Sequence, residues 1–247
     1  MARNALLAPL SFIFIGGSIV LLFFVILSGV QDTSPLNKTY FLSASTDGIT
    51  GARDVTQWAY FYICGPDNAD CSGAWPAPPL GWAWSANPEN APSQLVGSYG
   101  GSTTSYKFFY LWRFGWVFYL IALVFSVVAF FASLIACCGR LGAAVAGFAA
   151  FVALAVHSVA VALMTASFVE MRNAFRSAGR DASLGAWGFG FSWGSWAALL
   201  IATVLLCMGI RDGGSGSGRG LKLGRKRSVR SRRSYDLGSR RVKEDYA

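Results

Sequence analysis

Four long apolar stretches constrain this chain more than any other feature of its sequence: residues 6–30, 114–137, 141–169 and 187–210. Each is long enough to cross a bilayer, which takes roughly 20 residues of helix. Because hydrocarbon offers no partner for an open backbone group, each stretch is predicted to be helical. Only 13% of the 247 residues are charged, whereas a soluble domain carries about 25%. The sequence therefore predicts an all-α membrane protein with a four-transmembrane-helix bundle.

The first span has one alternative interpretation, a cleaved secretory signal. A single basic residue, Arg3, precedes it. Its apolar core is longer than the usual core of a signal, about 7–15 residues, and this length favours a retained span. Cleavage would leave the predicted topology of the remaining chain unchanged.

The distribution of Lys and Arg predicts which side of the membrane each segment faces. The tail, residues 211–247, has 12 basic and four acidic residues, a net charge of +8 out of the chain's +9. We therefore predict that the tail, residues 1–5 and the turn at 138–140 are cytosolic. Residues 31–113 and 170–186 are then extracellular loops. Three arginines in the shorter loop oppose this orientation, and the tail outweighs them: Arg172, Arg176 and Arg180.

The first extracellular loop is predicted to contain a strand and a disulfide. Residues 56–63 alternate between two faces, and aromatic and branched residues at a period of two indicate a strand. Residues 65–68, Gly-Pro-Asp-Asn, follow as a turn, because Pro presets φ and Gly or Asn tolerates the left-handed region. Cys64 and Cys71 flank this reversal and are predicted to form a disulfide. A disulfide needs an oxidising compartment, which agrees with the extracellular assignment.

Three kinds of covalent modification have candidate sites. The sequence has one acceptor sequon for N-glycosylation, which predicts this modification at Asn37. The alternative is that the sequon is a chance match. Juxtamembrane cysteines are candidates for S-palmitoylation, with ordinary reduced thiols as the alternative: Cys137, Cys138 and Cys207. Tail serines are candidates for phosphorylation, which would weaken attraction to anionic lipid: Ser228, Ser231 and Ser234.

The tail joins a flexible Gly/Ser linker to a dense basic cluster and is predicted to be disordered. Next to a last span, such a cluster attracts anionic inner-leaflet lipids by about 1 kcal/mol per basic residue. We predict no nucleic-acid partner, because the membrane is the nearer polyanion. The alternative is that the basic cluster is a signal for membrane topology and nothing more. The predicted lipid- or scaffold-binding residues are Arg225, Lys226, Arg227, Arg230, Arg232 and Arg233.

Small, polar and aromatic residues predict how the spans are arranged. Gly190 and Gly194 form a GxxxG, which lets helix backbones approach closely. We favour a role of these glycines in packing within the bundle; self-association of the chain is the alternative. His157 has no charged partner in another span, so we expect an interhelical hydrogen bond there rather than a transport pathway. Aromatic residues at the second span predict a belt at the membrane interface: Tyr106, Tyr110, Trp112, Trp116 and Tyr119.

No catalytic constellation is recognisable in the sequence. Metal sites and nucleophile triads need several convergent residues, and the chain has a single histidine. The glycines of the tail follow no predicted strand and open no predicted helix, so they do not form a phosphate-binding loop. We therefore expect a protein that is not an enzyme and that has no metal or cofactor.

The first loop and its flanks resemble those of a known family. The resemblance lies in residues 37–51, in Thr56-Gln-Trp-Ala-Tyr-Phe-Tyr-Ile-Cys64-Gly65, in the following Cys71, and in Tyr110-Leu-Trp-Arg-Phe114. In these features and in its basic tail, the chain is similar to the fungal SUR-seven/PalI family of four-span plasma-membrane proteins, in particular its eisosome-associated branch. The loop motif that carries the resemblance includes Trp58, Tyr60 and Gly65.

The resemblance implies a function that composition does not. It implies residence in stable, furrow-like plasma-membrane domains, with BAR-domain eisosome scaffold proteins as partners and roles in membrane organisation, cell-wall integrity and endocytosis. The outer loop would then contact the cell wall or neighbouring loops. The alternative is a signalling subunit of the PalI type in ambient-pH sensing. The layout is also claudin-like: a four-helix bundle with a small disulfide-stapled, β-containing extracellular loop.

Overall fold

The computed structural model describes residues 2–135 and 140–215 of the chain. Within these ranges, four long helices each contain an apolar stretch of 18 to 36 residues that is long enough to cross a membrane. We call them the first to fourth membrane helices: Ala2–Ile26, Tyr106–Ile135, Arg140–Ser177 and Ala186–Ser215. The predicted fold class, a four-helix membrane bundle, is confirmed.

A small antiparallel sheet sits on the bundle. Its strands, in chain order, are β1 Leu42–Ser45, β2 Val55–Trp58, β3 Ile63–Cys64 and β4 Ala182–Leu184. Their spatial order is β3-β2-β1-β4, and Leu42 pairs with Trp58 on one side and with Leu184 on the other. Because β4 comes from the short loop, both loops contribute to one unit. We call residues 31–105 and 178–185 the sheet domain.

The prediction of one continuous strand over residues 56–63 is wrong in its middle. The chain leaves β2 after Trp58 and reverses, with the Ala59 N–H donating to the Tyr62 carbonyl at 2.9 Å. Tyr60 is fully buried, and its ring stacks on Trp116 of the second membrane helix. Burying this ring stabilises the turn more than continued alternation would stabilise a strand, so tertiary packing overrides the local pattern.

The second and third membrane helices extend past the predicted spans into the sheet domain. The second begins at Tyr106 rather than at 114, and the third continues to Ser177 rather than ending at 169. The added turns bury apolar side chains, including Phe108 and Phe175, beneath the sheet. A span predicted from continuous apolarity stops at the first charge, whereas the helix continues because the sheet domain covers one of its faces.

Small side chains bring the second and third membrane helices close together. Gly115 lies so near Met164 that a Cβ atom there would meet its sulfur at 3.1 Å. Small residues permit such approach in lipid, where dispersion and hydrogen bonds drive association. Fully buried alanines occur on both helices: Ala122, Ala129, Ala146, Ala150, Ala153 and Ala160.

The first and fourth membrane helices are joined by a pair of serines. The hydroxyls of Ser18 and Ser195 lie 2.9 Å apart, and the Ser195 hydroxyl also donates to the Ser18 carbonyl at 2.8 Å. Of the predicted GxxxG, Gly194 faces Leu21 of the first helix, whereas a Cβ built at Gly190 has no atom of another described element within 4 Å. The two glycines therefore do not act as one packing motif inside the bundle.

Gly185→Ala is expected to destabilise the protein by about 1–3 kcal/mol, the range for overpacking. A Cβ atom at Gly185 would collide with the Tyr40 carbonyl oxygen, and the Gly185 N–H donates to the Phe41 carbonyl at 3.0 Å, which holds the two segments together. Gly190→Ala is the matched control because its Cβ would meet open space and alanine favours a helix. Thermal unfolding in detergent compares the variants, and equal midpoints would contradict the prediction.

Candidate interaction surface of the sheet domain

Tryptophan side chains hold the irregular part of the sheet domain in place. Residues 75–104 contain little regular structure, so many of their backbone carbonyls need other partners. Five indole N–H groups donate to main-chain carbonyls: Trp58 to Leu80 at 2.9 Å, Trp82 to Gly100 at 3.0 Å, Trp84 to Thr103 at 3.0 Å, Trp112 to Pro78 at 2.8 Å and Trp116 to Tyr60 at 3.1 Å. A buried indole supplies both apolar area and one donor, which suits it to this role.

Tyr60 and Trp116 link the sheet domain to the second membrane helix by two hydrogen bonds and a ring stack. The Tyr60 hydroxyl donates to the Trp116 carbonyl at 2.6 Å, and the Trp116 indole donates back to the Tyr60 carbonyl. Their rings stack with centroids 5.3 Å apart. Burial, with a smaller contribution from nearby Tyr119, raises the pKa of the Tyr60 phenol. The phenol therefore stays protonated and remains a hydrogen-bond donor.

The predicted aromatic belt is only partly correct. Tyr106 and Tyr110 are exposed, as residues at a membrane interface would be. Trp112, Trp116 and Tyr119 are buried in the protein and contact the sheet domain or the bundle. The sequence pattern does not distinguish a ring that faces lipid from one that faces another part of the same chain.

The predicted disulfide between Cys64 and Cys71 is confirmed. It closes a short loop around Asn68, which is fully buried. The Asn68 side-chain amide donates to the carbonyls of Leu36 and Thr39, both at 2.8 Å. The disulfide loop is thereby fastened to the chain that follows the first membrane helix. Sequence analysis identified Asn68 only as a turn residue, because these partners are distant in sequence.

Arg176, at the end of the third membrane helix, and Arg180, in the short loop, hold the sheet domain together. The Arg180 guanidinium donates to the Asp47 carbonyl at 2.7 Å and to the Asn90 carbonyl at 3.0 Å. Arg176 donates to the Ala182 carbonyl at 3.0 Å. These hydrogen bonds explain why the two arginines lie in a segment predicted to be extracellular, although the positive-inside rule used to predict topology disfavours basic residues there. Sequence analysis missed this role, since the acceptors are backbone atoms.

The interhelical hydrogen bond predicted for His157 is absent. His157 is fully buried, and neither ring nitrogen has a hydrogen-bond partner within the described parts of the chain. Its ring instead contacts Tyr119 edge-on, with centroids 5.9 Å apart. Among residues 2–135 and 140–215, no group of three His, Cys, Asp or Glu side chains is placed to hold a metal ion.

The remaining predicted sites are partly covered by the structure. Asn37 lies in the 3-10 turn Leu36–Lys38 and is half-buried, and Cys207 is an exposed free thiol on the fourth membrane helix. Glycosylation and acylation there stay predictions. Other predicted sites lie outside the described residues: Cys137, Cys138, Ser228, Ser231, Ser234 and the basic cluster from Arg225 to Arg233.

These features together define a class: a four-span membrane protein that carries an ordered, disulfide-bonded sheet domain fastened to its helices by aromatic side chains. Within that class, the chain matches the SUR7/PalI family over residues 7–205 and belongs to it. The family match thus covers the sheet domain, the second and third membrane helices and most of the first and fourth, and it ends before the basic tail.

Several fungal relatives are similar to the chain. Protein SUR7 of Candida albicans is 34% identical over 79% of this chain and 71% of its own length. Protein SUR7 of Saccharomyces cerevisiae is 30% identical over 82% of this chain and 67% of its own length. A plasma membrane protein of Saccharomyces cerevisiae is 32% identical over 78% of this chain and 64% of its own length. The last of these relatives is named as a plasma membrane protein, which supports a plasma-membrane role for this chain.

Proposed function

We propose that this protein is a structural organiser of a stable, eisosome-like plasma-membrane domain, with roles in membrane organisation, cell-wall integrity and endocytosis. One observation carries the proposal: the sheet domain is fastened to the bundle by the reciprocal Tyr60–Trp116 hydrogen bonds and by further indole donors. A domain held this way is suited to present a fixed surface rather than to move through a catalytic cycle. We propose a structural role rather than an enzymatic one.

The basic tail supplies the second half of the proposal. Its net charge of +8 is expected to hold it against anionic inner-leaflet lipids or the acidic surface of a BAR-domain scaffold protein. In this proposal the tail and the N-terminus lie in the cytosol, and the sheet domain lies outside, in contact with the cell wall or with neighbouring copies. The Cys64–Cys71 disulfide supports the outer location, because disulfides persist in oxidising compartments.

Neutralising the six basic residues of the cluster is expected to dissolve the plasma-membrane patches. The change is to Gln at all six positions: Arg225, Lys226, Arg227, Arg230, Arg232 and Arg233. The change removes six of the tail's 12 basic residues and lowers its net charge from +8 to +2. At about 1 kcal/mol per basic residue near an anionic surface, about 6 kcal/mol of attraction is lost. The measurement is imaging of the tagged full chain beside a BAR-domain scaffold marker in walled cells, together with fluorescence recovery after photobleaching.

The matched control keeps the charge and changes only the geometry of the side chains. Arg→Lys at the five arginine positions retains five positive charges but removes the planar fork that binds phosphate bidentately. If charge alone holds the tail, this variant stays in immobile patches while the Gln variant spreads. Patches that survive neutralisation would refute the role of the tail.

A signalling subunit of the PalI type, acting in ambient-pH sensing, is the alternative function. The family to which the chain belongs carries both names, which favours keeping this candidate. Deleting the gene would then abolish the response to alkaline medium, while a tagged protein would be distributed evenly over the plasma membrane. An intact alkaline response together with immobile patches would exclude it.

A further inference from the structure

Two tryptophans of the sheet domain are left exposed. Within residues 31–105, all of which the structure describes, Trp75 and Trp82 are the only large apolar side chains with substantial exposure, at 54% and 44%. Trp58 and Trp84 of the same segment are buried. An exposed pair of large aromatic rings next to polar residues is typical of a recognition site rather than of a folding requirement.

The two exposed rings are fixed before any ligand arrives. Trp75 and Trp82 pack edge to face, with centroids 5.5 Å apart and ring planes at 90°. The Trp82 indole donates to the Gly100 carbonyl at 3.0 Å, and the Trp75 backbone N–H donates to the Phe61 carbonyl at 3.2 Å. Because side chain and backbone are both held, binding would cost little conformational entropy.

An open groove of about 150 Å³ lies beside Trp82, and Trp82, Arg53 and Ser72 contribute to its wall. Trp75 does not line the groove itself but packs against the Trp82 ring that does. Arg53 donates one hydrogen bond, to the Ile63 carbonyl at 3.3 Å, and its other guanidinium N–H groups have no partner among the described residues. Pockets that enclose a whole small molecule are larger, about 300–1,000 Å³. The groove therefore suits one ring of a chain that continues beyond it.

We propose that this groove binds a sugar ring of a neutral polysaccharide. A pyranose ring has an apolar C–H face, which can lie on the electron-rich face of an indole, and a rim of hydroxyls, which can accept from Arg53 and exchange hydrogen bonds with Ser72. Residues 31–112 carry three basic and six acidic side chains, a net charge of −3. That negative field disfavours acidic polymers and anionic lipid headgroups as ligands.

This inference rests on the proposed function, because it needs the sheet domain to face the cell wall. The test uses the full chain in nanodiscs of zwitterionic lipid and three soluble probes: oligomers of β-1,3-glucose, of N-acetylglucosamine and of mannose. Saturation-transfer NMR is expected to show transfer to ring C–H protons of at least one probe. Trp75→Ala and Arg53→Gln are each expected to weaken binding of that probe about tenfold.

Matched controls separate loss of a site from loss of an aromatic ring or of a charge. Trp187→Ala removes a similarly exposed tryptophan from the fourth membrane helix, and Arg172→Gln removes a half-buried arginine from the last turns of the third membrane helix. Both are expected to bind the probe as the unchanged protein does. No transfer to any of the three probes, or equal weakening by the controls, would overturn the inference.

Imaging distinguishes failure of this inference from failure of the proposed function. If the unchanged protein forms immobile patches over the scaffold but binds none of the probes, only the polysaccharide site is wrong. If the unchanged protein is distributed evenly over the plasma membrane, the organiser role is wrong, whatever the NMR experiment shows.

Discussion

Trp58→Ala is expected to lower the free energy of unfolding by about 3–5 kcal/mol, the range for deleting a large buried aromatic side chain. Trp58 is 1% exposed and lies between Phe175, with ring centroids 5.8 Å apart, and Trp84, at 6.5 Å. Its indole also donates to the Leu80 carbonyl. Alanine would leave a cavity between β2 and the third membrane helix and a buried carbonyl without its donor.

Two further variants make this result specific. Trp75→Ala deletes the same side chain at an exposed position and is expected to change stability by less than about 1 kcal/mol. Trp58→Phe keeps most of the apolar volume but removes the donor to Leu80, so it should fall between the other two. The measurement is thermal unfolding of the purified chain in detergent. Equal losses for Trp58→Ala and Trp75→Ala would contradict the packing described above.

The features that sequence analysis predicted correctly are those set by local patterns. Apolar stretches of membrane length admit few structures other than a helix, because the bilayer leaves backbone groups no alternative partner. The disulfide was predicted for a similar reason, since Cys64 and Cys71 flank a turn whose Gly, Pro and Asn positions mark a reversal. In each case the physical cause acts within one continuous segment of chain.

The features that sequence analysis missed depend on contacts between distant segments. Strand β4 has only three residues and forms because β1, far earlier in the chain, offers an open edge. In the sequence Arg180 counts only as a topology signal, yet its acceptors are the carbonyls of Asp47 and Asn90. Every residue has a backbone carbonyl, so neither residue type nor periodicity nor a motif predicts which carbonyl accepts the hydrogen bond.

The arrangement of aromatic residues shows the same limit at the candidate site. Trp112 and Trp116 lie in a segment typical of a membrane interface, but their indoles donate to Pro78 and Tyr60 of the sheet domain. Trp75 and Trp82, in the loop, carry no sequence mark that separates them from buried Trp84. Which tryptophan rings are buried and which are exposed therefore follows from the tertiary fold alone.

Replacing both cysteines, Cys64→Ala with Cys71→Ala, is expected to destabilise the sheet domain by about 2.5 kcal/mol. That value follows from the loop-closure entropy of a bridge with a sequence separation of 7. The loss adds to a local effect, because the released loop also holds Asn68 against Leu36 and Thr39. Without the disulfide, these two hydrogen bonds alone must hold the loop in place. Each contributes only about 0.5–1.5 kcal/mol net to stability.

In cells, the double variant should be held back in the secretory pathway, because a loss of this size multiplies the unfolded fraction about sixtyfold, at about tenfold for each 1.4 kcal/mol. Cys207→Ser is the matched control, since that thiol is free and exposed, and it should reach the plasma membrane normally. Unfolding midpoints with and without reductant provide the measurement in vitro. Reductant should lower the midpoint of the unchanged protein and of Cys207→Ser, and leave that of the double variant where it is. If reductant moved the double variant equally, the bridge would not be the cause of the loss.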